Sequence, residues 1–193
     1  MAHGFNEERL AERNNEIDRL NEKLQGIVLL KSIEVDILED GTLDLADSIL
    51  RRLDLTVCSV HSKFNLSREK QTQRIIRAMD NPWFSILAHP SGRLINARSP
   101  YDVDMERLIV AAKQRGCVLE LNAHPDRLDL TDINCKMAKD AGAKIAISTD
   151  SHSKTDLALM RFGVAQARRG WLEPNDVVNT MSLPELKKAL KRV

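Results

Sequence analysis

The stretch CVLELNAHPDRLDLTDINCKMAKDAGAKIAISTD, Cys117 to Asp150, holds two apolar, partly β-branched runs with a polar helical run between them. Cys117–Asn122 reads as a strand, Thr131–Ala141 as a helix closed by Gly142, and Lys144–Thr149 as a second strand ending at Asp150. Two strands joined through a helix by short loops pair in parallel, because an antiparallel pair would need only a tight turn. The fold therefore follows from this unit if the rest of the chain repeats it.

Upstream it does. Trp83–Ala88 is a predicted strand ending at His89, and Asp102–Arg115 a predicted helix closed by Gly116. Leu55–Val60 is a strand ending at His61, followed by a helix over Ser67–Met79 with Ser67 as N-cap. Ile27–Ile37 (IVLLKSIEVDI) reads as a buried strand, Glu39–Thr42 as a turn, and Leu45–Leu53 as a short helix. Asn6–Leu24 carries Leu10, Ile17, Leu20 and Leu24 at helical spacing and is stopped by Gly26. Downstream, Lys154–Arg169 is a helix ended by Gly170, and Ser182–Lys191 a last one capped by Ser182. The expected fold class is α/β, with about five parallel strands and flanking helices in one domain over 1–193.

Composition narrows the function classes. Lys plus Arg is 29 against 28 Asp plus Glu, so bulk charge draws the chain to neither nucleic acid nor anionic membrane. No apolar run nears the roughly 20 residues that span a bilayer, and the polar start does not read as a secretory signal. Cys58, Cys117 and Cys135 are odd in number and widely spaced, which points to a reducing cytosol and a cytoplasmic protein.

In parallel α/β folds chemistry gathers at the C-terminal ends of strands. Glu34, His61, His89, Asp150 and His152 all lie at or near such ends, and three of the chain's five histidines are among them. Imidazole nitrogen and carboxylate oxygen together suit manganese, zinc or iron, with magnesium a further choice. Calcium would ask for oxygen alone and a structural zinc for cysteine. Side chains alternate along a strand, so Asp150 and His152 are expected on one side. His124, in NAHP, is open between a further ligand, a phosphate contact and a solvated loop residue. Arg93, Arg98, Arg127 and Arg161 follow strand ends or start helices and can grip phosphate through paired N–H groups, the alternative being solvated surface. Arg93 and Arg127 stand out because each follows a site loop. His3 lies in the polar start and is assigned no role.

The stretches KSIEVDILEDGTLDL, SVHSKFNLSREKQTQRIIRAMDNP, LAHPSGRL, LELNAHPDRLDLTD, ISTDSHS and LMRFGVAQARRGWLEPNDVVNT resemble, in order, the PHP family (polymerase and histidinol phosphatase domains). They are closest to the PHP domain at the C-terminus of family X DNA polymerases. The resemblance runs from about Gly4 to Lys191. It implies a distorted (β/α)7 barrel with a multinuclear metal cluster at the strand ends. It carries metal ligands over onto Glu34, His61, His89, Asp150 and His152; catalysis is then expected on His61, His89, Asp150 and His152, and, from their place in the site loops, substrate contacts on Arg93, Arg127 and His124. It also implies a phosphate ester or a DNA 3′ end as substrate, trimmed by metal-dependent hydrolysis.

Two family features have no counterpart in these residues, a first strand bearing His-x-His and a second ending in Asp-His. The expected barrel is therefore truncated, seven strands less two, and the metal cluster incomplete within one chain. No polymerase part is present, so DNA synthesis is not expected. Three readings result: a metal-dependent phosphoesterase or nuclease, a weak or inactive fragment that needs a second chain or a second copy to complete its site, and an interaction module. An open sheet edge is expected to be masked by the N-terminal helix, by another chain, or by nothing, in which case the protein should aggregate.

Overall fold

The computed structural model describes residues 7–190. Helix α1 (Glu7–Asn21) precedes five βα steps: β1 (Ser32–Asp36), α2 (Asp47–Leu50), β2 (Leu55–Ser59), α3 (Arg68–Met79), β3 (Ile86–Leu87), α4 (Met105–Arg115), β4 (Val118–Asn122), α5 (Asp132–Ala141), β5 (Lys144–Ser148), α6 (Met160–Arg169) and a closing α7 (Leu183–Leu190). The strands form one parallel sheet in chain order, with β1 and β5 at its two ends. His3, the helix start at Asn6 and the helix end at Lys191 lie outside the described residues.

Helix boundaries follow local chemistry. The Ser67 hydroxyl accepts from the Lys70 amide, the Asp104 carboxylate from the Arg107 amide, and the Thr131 hydroxyl from the Asn134 amide. Gly116 and Gly142 end α4 and α5 at φ of +68° and +72°, where a Cβ would be strained.

Several expected elements are shorter than their composition suggested. Ile27–Lys31 is not strand: β2 begins only at Leu55, and Lys31 bonds the backbone and side chain of Asp54 at its start. Ile27 and Val28 are exposed, and the Asn21 side-chain amide exchanges both hydrogen bonds with the Leu29 backbone (2.8 and 2.9 Å). Leu24 lies beyond α1 and is exposed; of the stripe, Leu10 is the member sunk into the core. β3 is two residues long because the Thr56 and Ser85 side chains take the Ser85 and Thr56 amides in place of a ladder. The short helix expected over Leu45–Leu53 is one turn, and Lys154–Arg169 divides into a 3-10 stretch, Lys154–Leu159, and α6.

Alternation sets the two faces of the sheet. Val35, Cys58, Leu87, Leu119, Leu121, Ile145 and Ile147 pack against the helices with Ile75, Phe84, Leu108 and Ile109. Each such buried side chain contributes at about 25 cal/mol per Å2 of apolar area. On the other face, Leu55, Val57, Ile86, Val118 and Ala146 meet Val178, Met181, Leu186 and Leu190 from the C-terminal segment. Further along that face the residues turn polar: Ser59 beyond Val57, Glu120 and Asn122 beyond Val118, Ser148 beyond Ala146. The apolar end is covered, and the polar end, at the strand C-termini, carries the site.

The outer edge of β5 is met by the chain's own C-terminal segment. Val177 bridges Ile145, and the Asn179 side-chain amide exchanges both hydrogen bonds with Ile147 (2.8 and 2.9 Å). Among the described residues no helix is long and apolar enough to cross a membrane.

Candidate metal centre

Glu34 lies on β1, His61 two residues past the end of β2, and His89 two past β3. One donor atom from each lies within 4.8 Å of the others. Glu34 Oε1 is 3.1 Å from His89 Nε2 and 3.5 Å from His61 Nε2, and the two imidazole centroids are 5.5 Å apart. Two imidazole nitrogens and a carboxylate oxygen aimed at one point fit a divalent first-row cation.

Strict alternation would send His89, two residues after Leu87, toward the helices. Its φ of +26° turns the chain and brings the ring to the polar face. Two buried carboxylates hold this turn. Glu120 accepts the His89 N–H at 2.5 Å, and Asp129 accepts the Ser91 N–H, the Ser91 hydroxyl and the Gly92 N–H at 2.8–3.1 Å. Tyr101 closes it from the other side, donating to the Pro90 carbonyl at 2.7 Å. A Cβ on Gly92 (φ +63°) would lie 2.4 Å from the Tyr101 ring, so this position needs glycine.

The electrostatics favour a charged carboxylate among imidazoles. Burial opposes ionisation of Glu34, but the hydrogen bond to His89, the fields of His89 and His61 and a bond to Ser59 outweigh it and bring the carboxyl down to about 2. For His89, burial disfavours the cation while the Glu34 hydrogen bond and the Glu120 charge favour it; its pKa is raised. Burial raises the Glu120 and Asp129 carboxyls. His89 Nδ1, Arg127 Nη1 and Asp129 Oδ1 are buried without a hydrogen-bond partner.

Of the other residues expected at the site, Asp150 reaches the same rim. Its Oδ2 accepts from Asn122 Nδ2 at 3.2 Å and faces Arg127 Nε at 3.3 Å. His152 does not join. Its side chain is 85 % exposed and its Nδ1 lies 2.8 Å from the Asp150 carbonyl. Asp150 and His152 still stand side by side, His152 Nδ1 lying 4.0 Å from Asp150 Oδ1, although β5 ends at Ser148 and Asp150 takes a left-handed φ of +49°. Arg93 is occupied by the Arg127 and Leu128 carbonyls (2.6 and 2.5 Å) and braces the loop that carries Arg127. Arg98 donates to the Gly92 carbonyl and covers Phe64; Arg161 lies over Phe162. His124 Nδ1 accepts the Asp126 amide at 3.3 Å, within its own loop.

Asp36, Glu120, Asn122 and Asp129 are site residues that were not singled out in the sequence. Three of them had a signal: Asp36 follows Glu34 by two in SIEVD, and Glu120 and Asn122 alternate with leucine in LELN.

No family model matches the chain. It is 41% identical over 192 residues, all but the whole of its length, to the protein named DNA polymerase/3′-5′ exonuclease PolX from Bacillus subtilis (strain 168), of which it spans 34%. A probable phosphatase of Thermoanaerobacter sp. (strain X514) is 32% identical over 182 residues, 89% of this chain and 71% of the relative. A third relative, a probable phosphatase of Caldanaerobacter subterraneus subsp. tengcongensis, is 30% identical over 181 residues, 88% and 68% of the two chains. These likenesses support a phosphoesterase type of function. With this identity over more than two thirds of the relative's length, the chain belongs to the family of these probable phosphatases.

Proposed function

We propose that the protein is a divalent-metal-dependent phosphoesterase of the PHP class that hydrolyses a phosphodiester at a DNA 3′ end. The observation that carries this reading is the convergence of Glu34, His61 and His89 on one point. The 3′-5′ exonuclease in the printed name of the Bacillus subtilis relative supports the DNA substrate. A phosphomonoester fits the same site and the phosphatase relatives.

Glu34, His61 and His89 would hold the cation, manganese or zinc by preference and iron or magnesium as alternatives. A cation there supplies Lewis-acid polarisation of a phosphoryl oxygen. Arg127, its side chain 18 % exposed, would offer the exposed part of its guanidinium to a phosphate oxygen while its Nε holds Asp150. Arg93 keeps Arg127 in place through the backbone, and His124 stands on the exposed rim for the substrate to meet. Asp150 and His152 are candidates for a second ion, which would need donors beyond those described. With Asp150 paired to Arg127 and His152 in solvent, turnover by this chain alone is expected to be weak, because two-metal catalysis needs both ions held in register.

The test is turnover of a model phosphodiester and of 3′-labelled single-stranded DNA, with manganese or zinc added. His61→Ala and His89→Ala should each abolish it, as should a chelator. Full turnover that survives both substitutions and chelation would sink the reading, as would a protein that binds no cation.

A further inference from the structure

Behind each of the two imidazoles stands a carboxylate that does not touch the triad's meeting point. His61 Nδ1 lies 2.6 Å from Asp36 Oδ1, with the Ser59 hydroxyl at 3.2 Å from the same nitrogen. Asp36 is two residues after Glu34 on β1, so alternation puts both acids on one face, and its side chain is 15 % exposed. An imidazole whose Nδ1 carries the hydrogen has its lone pair on Nε2, and Nε2 is the atom that faces Glu34. Glu120 works on His89 differently. It is 5 % exposed, its Oε2 accepts the His89 backbone N–H, and its Oε1 accepts from the Ser148 hydroxyl on β5. A left-handed histidine is a strained conformation that persists only where its surroundings over-determine it. Glu120, anchored on β4 and tied to β5, supplies that constraint.

We propose that Asp36 and Glu120 are positioning residues for the cation site. Asp36 fixes the tautomer and ring plane of His61, and Glu120 holds the His89 backbone at the angle that swings its Nε2 onto the same point. Outer carboxylates of this kind orient a ligand imidazole and raise its basicity, and their loss costs about 10- to 100-fold in metal affinity. The cation itself rests on the phosphoesterase reading above; the tautomer and the backbone angle do not.

The experiment therefore has two arms on the full chain. In the metal-free protein, imidazole 15N shifts should report His61 as the Nδ1–H form, and Asp36→Ala should convert it to a mixture. In calorimetric titration with Mn2+ and with Zn2+, Asp36→Ala and Glu120→Gln should each bind about 10- to 100-fold more weakly than the unsubstituted protein. Glu120→Gln keeps the shape and one acceptor, so its melting temperature separates folding from positioning. Unchanged 15N shifts in Asp36→Ala would overturn the tautomer role. Unchanged cation affinity in Glu120→Gln, or a loss matched by global unfolding, would overturn the role of Glu120. If the shifts move as expected while the unsubstituted protein takes up no cation, the phosphoesterase reading falls and the positioning of His61 by Asp36 stands.

Discussion

Arg127 Nε lies 3.3 Å from Asp150 Oδ2 on the rim of the triad, so a residue expected to hold phosphate and a residue expected to hold metal hold each other. Their charges cancel locally while the Arg127 Nη1 stays buried without a partner. A phosphate arriving at the exposed part of the Arg127 side chain would meet a guanidinium already oriented by Asp150.

Replacing Arg127 by Met should thus weaken the substrate rather than the cation. The loss of one charge-assisted hydrogen bond, about 1.5–3 kcal/mol, predicts KM for a phosphodiester up by roughly 10- to 100-fold. Calorimetry on the same variant should find cation binding by Glu34, His61 and His89 retained. A KM that does not move would take Arg127 out of the substrate site.

Cation binding should strengthen as pH rises. Glu34, lowered from 4.5 to about 2, gives the metal-free fold a stabilisation that is present above 4.5 and disappears as pH falls toward 2. His89, raised above 6.5, gives one that is full below 6.5 and disappears as pH climbs through its folded value. The metal-free protein should accordingly melt highest between those limits. A cation needs the neutral imidazole, so affinity should climb through the folded pKa of His89 with release of a proton. Titrations in buffers of different ionisation heat would count that proton; none released would contradict the assignment of His89 as a donor.

Arg74 ties the loop after β1 to the loop after β2. It is 2 % exposed, and its guanidinium donates to the carbonyls of Leu38 (2.7 Å), Ser62 (2.9 Å) and Ile37. Arg74→Met should cost about 3 kcal/mol or more in a urea melt, because three carbonyls lose a shared donor. Arg74→Lys should recover little of it, since an ammonium cannot span the same fork.

Gly163 sits in α6 where the helix touches the sheet. A Cβ there would lie 2.5 Å from Ile147 Cγ2 and 2.7 Å from the Ala123 Cβ. Helix propensity favours Ala by about 1 kcal/mol, yet overpacking costs about 1–3 kcal/mol. Gly163→Ala should therefore lower stability, and adding Ala123→Gly should return part of it. A stabilised single variant would show that α6 can shift outward freely.

The parallel sheet and its helices were legible because each βα step carries its own punctuation: Gly116 and Gly142 after helices, Ser67 and Thr131 before them, apolar runs between. Ile27–Lys31 misled because β-branched composition says nothing about whether a partner strand is within reach. The triad was legible from the strand ends alone. His152 stands in solvent beside Asp150 and outside the triad, because the period-2 rule stops where a left-handed residue, Asp150, breaks the strand. Asp36 and Glu120 stayed hidden because an acid inside an apolar strand shows its purpose only when the histidine it supports is seen beside it, 25 residues on for Asp36 and 31 residues back for Glu120.

The carboxamide of Asn179 on Ile147 has a wider meaning. A side-chain amide presents an N–H and a C=O at the spacing of a peptide unit, but no run of further backbone amides continues from it. In the language of polymerisation it is a chain stopper, satisfying the growing end while giving the next monomer nothing to add to. The Asn21 amide makes the same paired bonds with Leu29, in the segment that leads into β1.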